Sequence, residues 1–267
     1  MAPVQVLRPL ENKVGLVVGL ANADSVAAGC ARALHRDGAE LALAYRDDHA
    51  IPYAQPVADE VGAAIFTGMD VTREEDVDAM FAAIEEKWGR LDFLIHSIAF
   101  CNREDLHGRV VDTSREGFAE AMDISCHSFI RLARRAEPLM AEGGALLTLS
   151  FLGSERVVPG YGVMGPIKAA LEASVRYLAA ELGPKGVRVN ALSPGPIRTR
   201  AASGLSDLDD LIAAAEALAP VQQPADIDDA GAYAAFLVSD AAKAVTGTVA
   251  YVDGGYNMMS GVAHGND

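Results

Sequence analysis

Tyr161 and Lys168 stand seven residues apart in Tyr161-Gly-Val-Met164-Gly-Pro-Ile-Lys168. On an α-helix that spacing returns close to the same face two turns on, about 10 Å along the axis, so a phenol and an ammonium can converge on one bound molecule. A cation near a phenol favours the phenolate and lowers the cost of moving its proton, which is acid–base chemistry. A Tyr and a Lys at helical spacing also occur by chance, so the pair draws its weight from its surroundings.

A second set of residues can hold a nucleotide. Gly19-Leu-Ala21-Asn-Ala-Asp-Ser25-Val26-Ala-Ala-Gly29 follows an apolar run and leads into a helical pattern. The free N–H groups and dipole of such a helix can bind a pyrophosphate. The segment is not G-x-G-x-x-G, and only Gly19 and Gly29 remain of a glycine pattern.

After the second apolar run, an acidic residue binds the ribose of NAD, whereas a cation takes the 2′-phosphate of NADP. Here Arg46 precedes Asp47 and Asp48. The guanidinium leans weakly toward NADPH, and the adjacent carboxylates can neutralise or redirect it. Asp70 and Val71 follow the third run, where adenine is received, and His96-Ser97-Ile98-Ala99 follows the fourth, where the nicotinamide ribose is lined. His96 reads as a structural histidine rather than a general base.

The elements that must position these groups are seven apolar runs, at residues 14–20, 40–45, 63–67, 91–95, 145–149, 187–191 and 248–252. Nearly all are apolar throughout rather than alternating, as strands covered on both faces of a parallel sheet are. Residues 25–37, 73–89, 114–140 and 161–182 read as helices, with Asp70 or Thr72 to cap the second. The pattern predicts an α/β fold: a single-domain, Rossmann-type doubly wound sheet of about seven parallel strands with helices on both faces. Ligands of such a sheet bind beyond the carboxyl ends of its strands.

The 267 residues are 51% hydrophobic and 22% charged with 25 glycines, which excludes disorder, collagen and coiled coil as global descriptions. The formal charge of −15 sets nucleic acid aside as a partner. The early apolar run at 14–20 is far short of the roughly 20 residues a membrane span needs, so a soluble, cytoplasmic chain is expected. Cys30, Cys101 and Cys126 form no C-x-x-C pair, and neither a metal knuckle nor a disulfide framework is expected.

Taken together, Gly19-x5-Ser25-x-Ala27, His96-Ser-Ile-Ala-Phe100, Tyr161-x2-Met164-x3-Lys168 and Gly195-Pro-Ile-Arg-Thr199 resemble the bacterial enoyl-acyl-carrier-protein reductases of the short-chain dehydrogenase/reductase superfamily. The resemblance runs from about Leu10 to Tyr256 and includes Ser114-Arg-Glu-Gly-Phe118, Arg188-Val-Asn-Ala191, Ala201-Ala202-Ser-Gly204 and Val252-Asp-Gly-Gly255. Most superfamily members carry a tyrosine four residues before the lysine. Here that position is Met164 and the tyrosine lies three residues earlier, a displacement that marks enoyl reduction.

The resemblance implies hydride transfer from NADH, the family default, or NADPH to a trans-2-enoyl thioester, possibly on acyl carrier protein. Tyr161 would be the donor to the enolate oxygen, and Lys168 would hydrogen-bond the nicotinamide ribose. Ile197 and Thr199 would anchor the carboxamide and pyrophosphate. Ala99, Phe100, Met164, Ala201 and Ala202 would meet the substrate, under a mobile cover at about 199–219. A homotetramer is also implied, with the strand at 246–252 and the Met258-Met259 tail available for packing.

Two positions depart from the family. Phe151 stands where a second tyrosine is usual, so the ring remains and the hydroxyl is lost. The cover carries Asp207, Asp209 and Asp210 where several relatives have cations that meet an acidic carrier, leaving Arg198 and Arg200 as the nearest basic candidates. These departures leave room for a coenzyme A thioester as substrate. A carbonyl-reducing superfamily member and a catalytically weak nucleotide-binding sensor or assembly subunit are the competing readings.

Overall fold

The computed structural model describes residues 8–200, 202–204 and 208–260. Seven strands form one sheet: β1 (Val14–Val18), β2 (Glu40–Tyr45), β3 (Ile65–Gly68), β4 (Phe93–His96), β5 (Gly144–Leu149), β6 (Val187–Pro194) and β7 (Val249–Val252). Their order is β3-β2-β1-β4-β5-β6-β7 and every pairing is parallel. Val18 of β1 lies opposite Ala44 on one side and His96 on the other, which makes the β1/β4 boundary the point where the winding reverses.

The helices are α1 (Val26–Arg36), α2 (Ile51–Glu60), α3 (Glu74–Trp88), α4 (Arg103–His107), α5 (Arg115–Met122), α6 (Ser128–Ala136), α7 (Met164–Leu182), α8 (Leu208–Leu218) and α9 (Ile227–Val238). One face of the sheet is covered by α1, α2 and α9 through Leu34, Val57 and Leu237, and the other by α3, α6 and α7 through Ile84, Phe129 and Leu171. Every residue of β1 is buried, which is why its sequence does not alternate. No helix of the described residues is long and apolar enough to cross a membrane.

Four expectations change. Residues 114–140 are not one helix: α5 and α6 are joined by a π-helical turn at Asp123–His127 and followed by a 3-10 turn at Glu137–Leu139. The wide turn places Ser125 so that its Oγ accepts from Phe100 N at 2.8 Å and donates to Phe100 O at 3.0 Å. A π-turn inside a helix commonly accompanies a functional site, and this one clamps the loop after β4.

Tyr161 lies in the turn before α7 rather than on it, with its N–H bonded to Val158 O at 3.2 Å. The Asp70 carboxylate binds Thr72 N and Oγ1, at 2.9 and 2.7 Å, and so braces the turn before α3; the helix begins at Glu74 and its N-cap position, Arg73, makes no side-chain cap. Gly29 serves packing, because a Cβ there would stand 2.1 Å from Ile227 O at the start of α9.

Candidate active site

Two cavities open at the carboxyl ends of the strands and meet. The first, about 670 Å³, lies over β1 to β4 and is lined by Gly19, Ala21, Ser25, Val26, Asp70 and Val71, with Arg46 and Asp47 at its rim. Gly19 has φ +94°, and a Cβ there would stand 2.2 Å from Ser97 O. Only glycine lets the chain turn this tightly against the end of β4. Ser25 caps α1, accepting from Ala28 N at 3.2 Å, while its hydroxyl donates to Asn22 O at 2.7 Å. The cradle therefore fits a dinucleotide, with the N-terminal end of α1 directed at its phosphates.

Arg46 does not offer an open fork. Its Nη2 and Nε lie 2.7 and 2.8 Å from Asp47 Oδ2, and the guanidinium holds the Asp47 carboxyl below its usual range. The lean toward a 2′-phosphate finds no support, because the Asp47 carboxylate takes one edge of the guanidinium and sets a negative charge beside it.

The second cavity, about 360 Å³, lies over β4 and β5 and shares Val26, Ser97, Ile98, Ala99, Phe100 and Thr199 with the first. Tyr161, Phe151 and Met164 wall it on one side, with Lys168 at its floor, and Ile197, Ala202, Leu208 and Leu211 close it above. Met164, at the usual tyrosine position, is buried beside Val163 and Ile167. The rings of Phe151 and Tyr161 lie 4.9 Å apart at an interplanar angle of 56°. Such tilted pairing is favourable for aromatic rings and fixes the phenol's direction.

Lys168 is 4% exposed, and its Nζ donates to Leu149 O at 2.6 Å. Burial lowers its pKa to about 8, against the raising influence of Glu172 and Cys126. Burial, with Glu172 next, raises the pKa of Tyr161. The group is therefore a protonated phenol rather than the phenolate that its cationic neighbour alone predicts.

His96 is fully buried, with Nδ1 2.8 Å from Thr148 Oγ1 and Nε2 2.9 Å from Ser128 Oγ. Burial, then the Lys168 charge, holds it down at about 3, so the imidazole is neutral and structural. Glu172 escaped the sequence reading. It is 4% exposed on α7 and accepts from Ser150 Oγ and from Ser154 Oγ, the latter at 2.6 Å. Its place four residues after Lys168, on the same helical face, was the available signal.

Above the pocket, Thr199 Oγ1 accepts from Ala202 N at 3.1 Å and a 3-10 turn spans Ala202–Gly204. Ala201 and Asp207 lie outside the described residues. Asp209 and Asp210 occupy the first turn of α8, where the helix dipole favours them. Arg198 pairs with Asp209, and the Arg200 guanidinium lies 5.8 Å from the Tyr53 ring centroid. Neither arginine therefore forms an open basic patch. Among the described residues no cluster of three or more His, Cys, Asp or Glu could hold a metal ion.

A doubly wound parallel sheet, a dinucleotide cradle at its switch point and a half-buried tyrosine beside a buried lysine where two cavities join define a nicotinamide-dependent oxidoreductase of the short-chain dehydrogenase/reductase class. A family profile described as Enoyl-(Acyl carrier protein) reductase matches residues 19–257. The chain is 48% identical over 250 residues to enoyl-acyl-carrier-protein reductase (NADH) 1 of Rhizobium meliloti, covering 94% of this chain and 92% of that one. It is 47% identical over 253 residues to the NADH-dependent enoyl-acyl-carrier-protein reductase of a Nostoc species, covering 94% and 98%.

Its fold matches the crystal structure of the Anaplasma phagocytophilum enoyl-acyl-carrier-protein reductase in complex with NAD, with a TM-score of 0.91 and 44% identity over 94% of this chain and 96% of that one. The chain belongs to the enoyl-acyl-carrier-protein reductase family, whose members are NAD(P)H-dependent oxidoreductases acting on a CH–CH bond.

Proposed function

We infer that the protein reduces the trans-2 double bond of an enoyl thioester carried on acyl carrier protein, with NADH, as a step of fatty acid biosynthesis. The observation that carries this reading is the half-buried phenol of Tyr161, packed on Phe151 in an apolar pocket that joins the nucleotide cradle.

The reduced nicotinamide, when bound, supplies the hydride to the β-carbon of the substrate. Negative charge then develops on the thioester oxygen, and a donor held ready in a dry pocket stabilises it most. Tyr161 is that donor. Lys168 binds the nicotinamide ribose as an ammonium, and its bond to Leu149 O holds it at the end of β5.

Gly19, Ala21, Ser25 and Val26 bind the pyrophosphate side; Asp70 and Val71 receive the adenine. Ser97, Ile98, Ile197 and Thr199 hold the nicotinamide half. Ala99, Phe100, Met164 and Ala202 shape the acyl channel. Residues 202–204 and 208–219 form the cover over this channel, and the chain is one domain. The sheet-edge position of β7 and the exposed Met258 support a homotetramer, and the cytoplasm is its setting.

The deciding assay follows loss of NADH absorbance with a short trans-2-enoyl thioester and with a matched β-ketone. Consumption with the enoyl substrate alone is expected; consumption with the ketone alone overturns the reading. Because Arg198 is paired with Asp209, a coenzyme A thioester is the second reading. Equal carrier-protein and coenzyme A substrates compared side by side separate the two.

A further inference from the structure

Glu172 has no place in the reaction as described, yet it is a carboxylate almost wholly buried beneath the site. A buried carboxylate is costly unless hydrogen-bonded or faced by a charge. Among the described residues no cation forms an ion pair with it. Two hydroxyls satisfy it instead, Ser150 Oγ and Ser154 Oγ, both on the same oxygen.

Those serines bracket the turn that carries Phe151 and Gly153. Gly153 presses on the tyrosine, since a Cβ there would stand 2.3 Å from Tyr161 Cδ1. The carboxylate thus pins, through two hydroxyls, the backbone against which the Tyr161 ring rests. On the other side it lies one helical turn beyond Lys168 on α7.

We propose that Glu172 is a positioning residue for this reaction: it anchors the 150–154 turn against Tyr161 and sets its carboxylate one helical turn from the Lys168 ammonium. The assignment rests on the enoyl-thioester reading above.

The surrounding groups leave that task to Glu172. Cys126 faces Lys168 from the π-turn, and His96 from β4. Tyr161 faces Glu172 from the loop before α7, and so does Tyr251 from β7, which also meets Glu155 and Asp253. Burial keeps the imidazole of His96 uncharged and raises Cys126, Tyr161 and Tyr251, so these four are neutral at working pH. The influence that opposes the cost of burying the Lys168 ammonium comes first from Glu172.

The test is the NADH dissociation constant against pH, read by cofactor fluorescence on the intact enzyme without substrate, together with kcat on an enoyl thioester. In the parent protein affinity falls as pH rises through about 8, where Lys168 loses its proton. In Glu172→Gln, which keeps shape and removes charge, the fall begins about one pH unit earlier, giving an approximately tenfold weaker affinity on that limb and near-parent affinity in acid. Glu172→Asp restores the limb. Ser154→Ala keeps the charge and loosens the turn, so the limb stays and kcat drops severalfold.

A limb that does not move in Glu172→Gln overturns the electrostatic role. Parent kcat in both Glu172→Asp and Ser154→Ala overturns the anchoring role, and this pair decides the matter if circular dichroism shows Glu172→Gln unfolded. A parent protein that binds NADH with the expected limb but leaves enoyl thioesters untouched overturns the proposed reaction and not the role of Glu172 toward Lys168.

Discussion

The floor and the roof of the reacting pocket are built on opposite principles. The floor is made of strand ends and α7, and its polar groups are buried and joined: His96 to Thr148 and Ser128, Lys168 to Leu149, Glu172 to Ser150 and Ser154. The roof is a short turn and α8, with Leu208 and Leu211 inward and the Arg198–Asp209 pair largely exposed. In the floor a single deletion leaves a buried partner unsatisfied, which costs more than the bond itself contributed. In the roof water replaces a lost partner at little cost. Turnover is therefore expected to depend on the floor, and choice of substrate on the roof.

The largest expected break in this contrast is Tyr161→Phe. Turnover on an enoyl thioester should fall about 10²- to 10³-fold, the range of a lost proton donor, while NADH affinity measured by fluorescence titration stays near that of the parent. Unchanged turnover removes the donor role.

Lys168→Ala comes next and should weaken both quantities, with NADH affinity down roughly 10- to 100-fold, as for a lost charged hydrogen bond. The same group sets the sign of the pH dependence. Because its pKa is lowered to about 8, the ammonium is present below that pH and lost above it, so both NADH affinity and kcat/KM should decline on the alkaline side. A flat profile in Lys168→Arg, which cannot lose its proton in this range, checks the assignment.

Phe151→Tyr tests the border between the two regions. It adds a hydroxyl facing the pocket beside Tyr161, and a hydrogen bond of about 1 kcal/mol should raise kcat/KM for enoyl thioesters severalfold without altering NADH binding. The smallest effect is expected from Asp209→Asn in the roof. Removing an exposed charge should leave kcat unchanged and lower KM for a carrier-protein substrate more than for the coenzyme A analogue, by about twofold. A large loss of kcat in this variant would erase the distinction between roof and floor.

The strands were readable because a sheet covered on both faces demands uninterrupted apolar runs, and β2 spans the expected residues from end to end. The helices were harder. The segment at 114–140 has a continuous helical pattern, and nothing local announces that Ser125 will interrupt it to hold Phe100. The helix α2 carries Pro52 and Pro56, which argue locally against a helix, whereas α9 opens on an Asp226–Asp229 capping box, a start signal that was present in the sequence.

Site residues divide the same way. The Tyr161–Lys168 spacing pointed to two residues that line one pocket, but not by the route foreseen, since the tyrosine reaches the pocket from a loop. Arg46 was left open between a phosphate and its neighbouring carboxylates, because the reach of the Asp47 carboxylate toward it depends on the backbone at that turn.

The sequence by itself determined the sheet, the cradle at Gly19 and the displaced tyrosine with its lysine, because each follows from residue type, local spacing or a backbone need that only one residue meets. Tertiary structure alone decided the ionisation of the site. Whether a phenol is protonated, an imidazole neutral or a guanidinium open to a phosphate depends on burial and on which charges fold brings near. Those distances join residues as far apart in the chain as Ser150 and Glu172, or His96 and Thr148, and no local pattern encodes them.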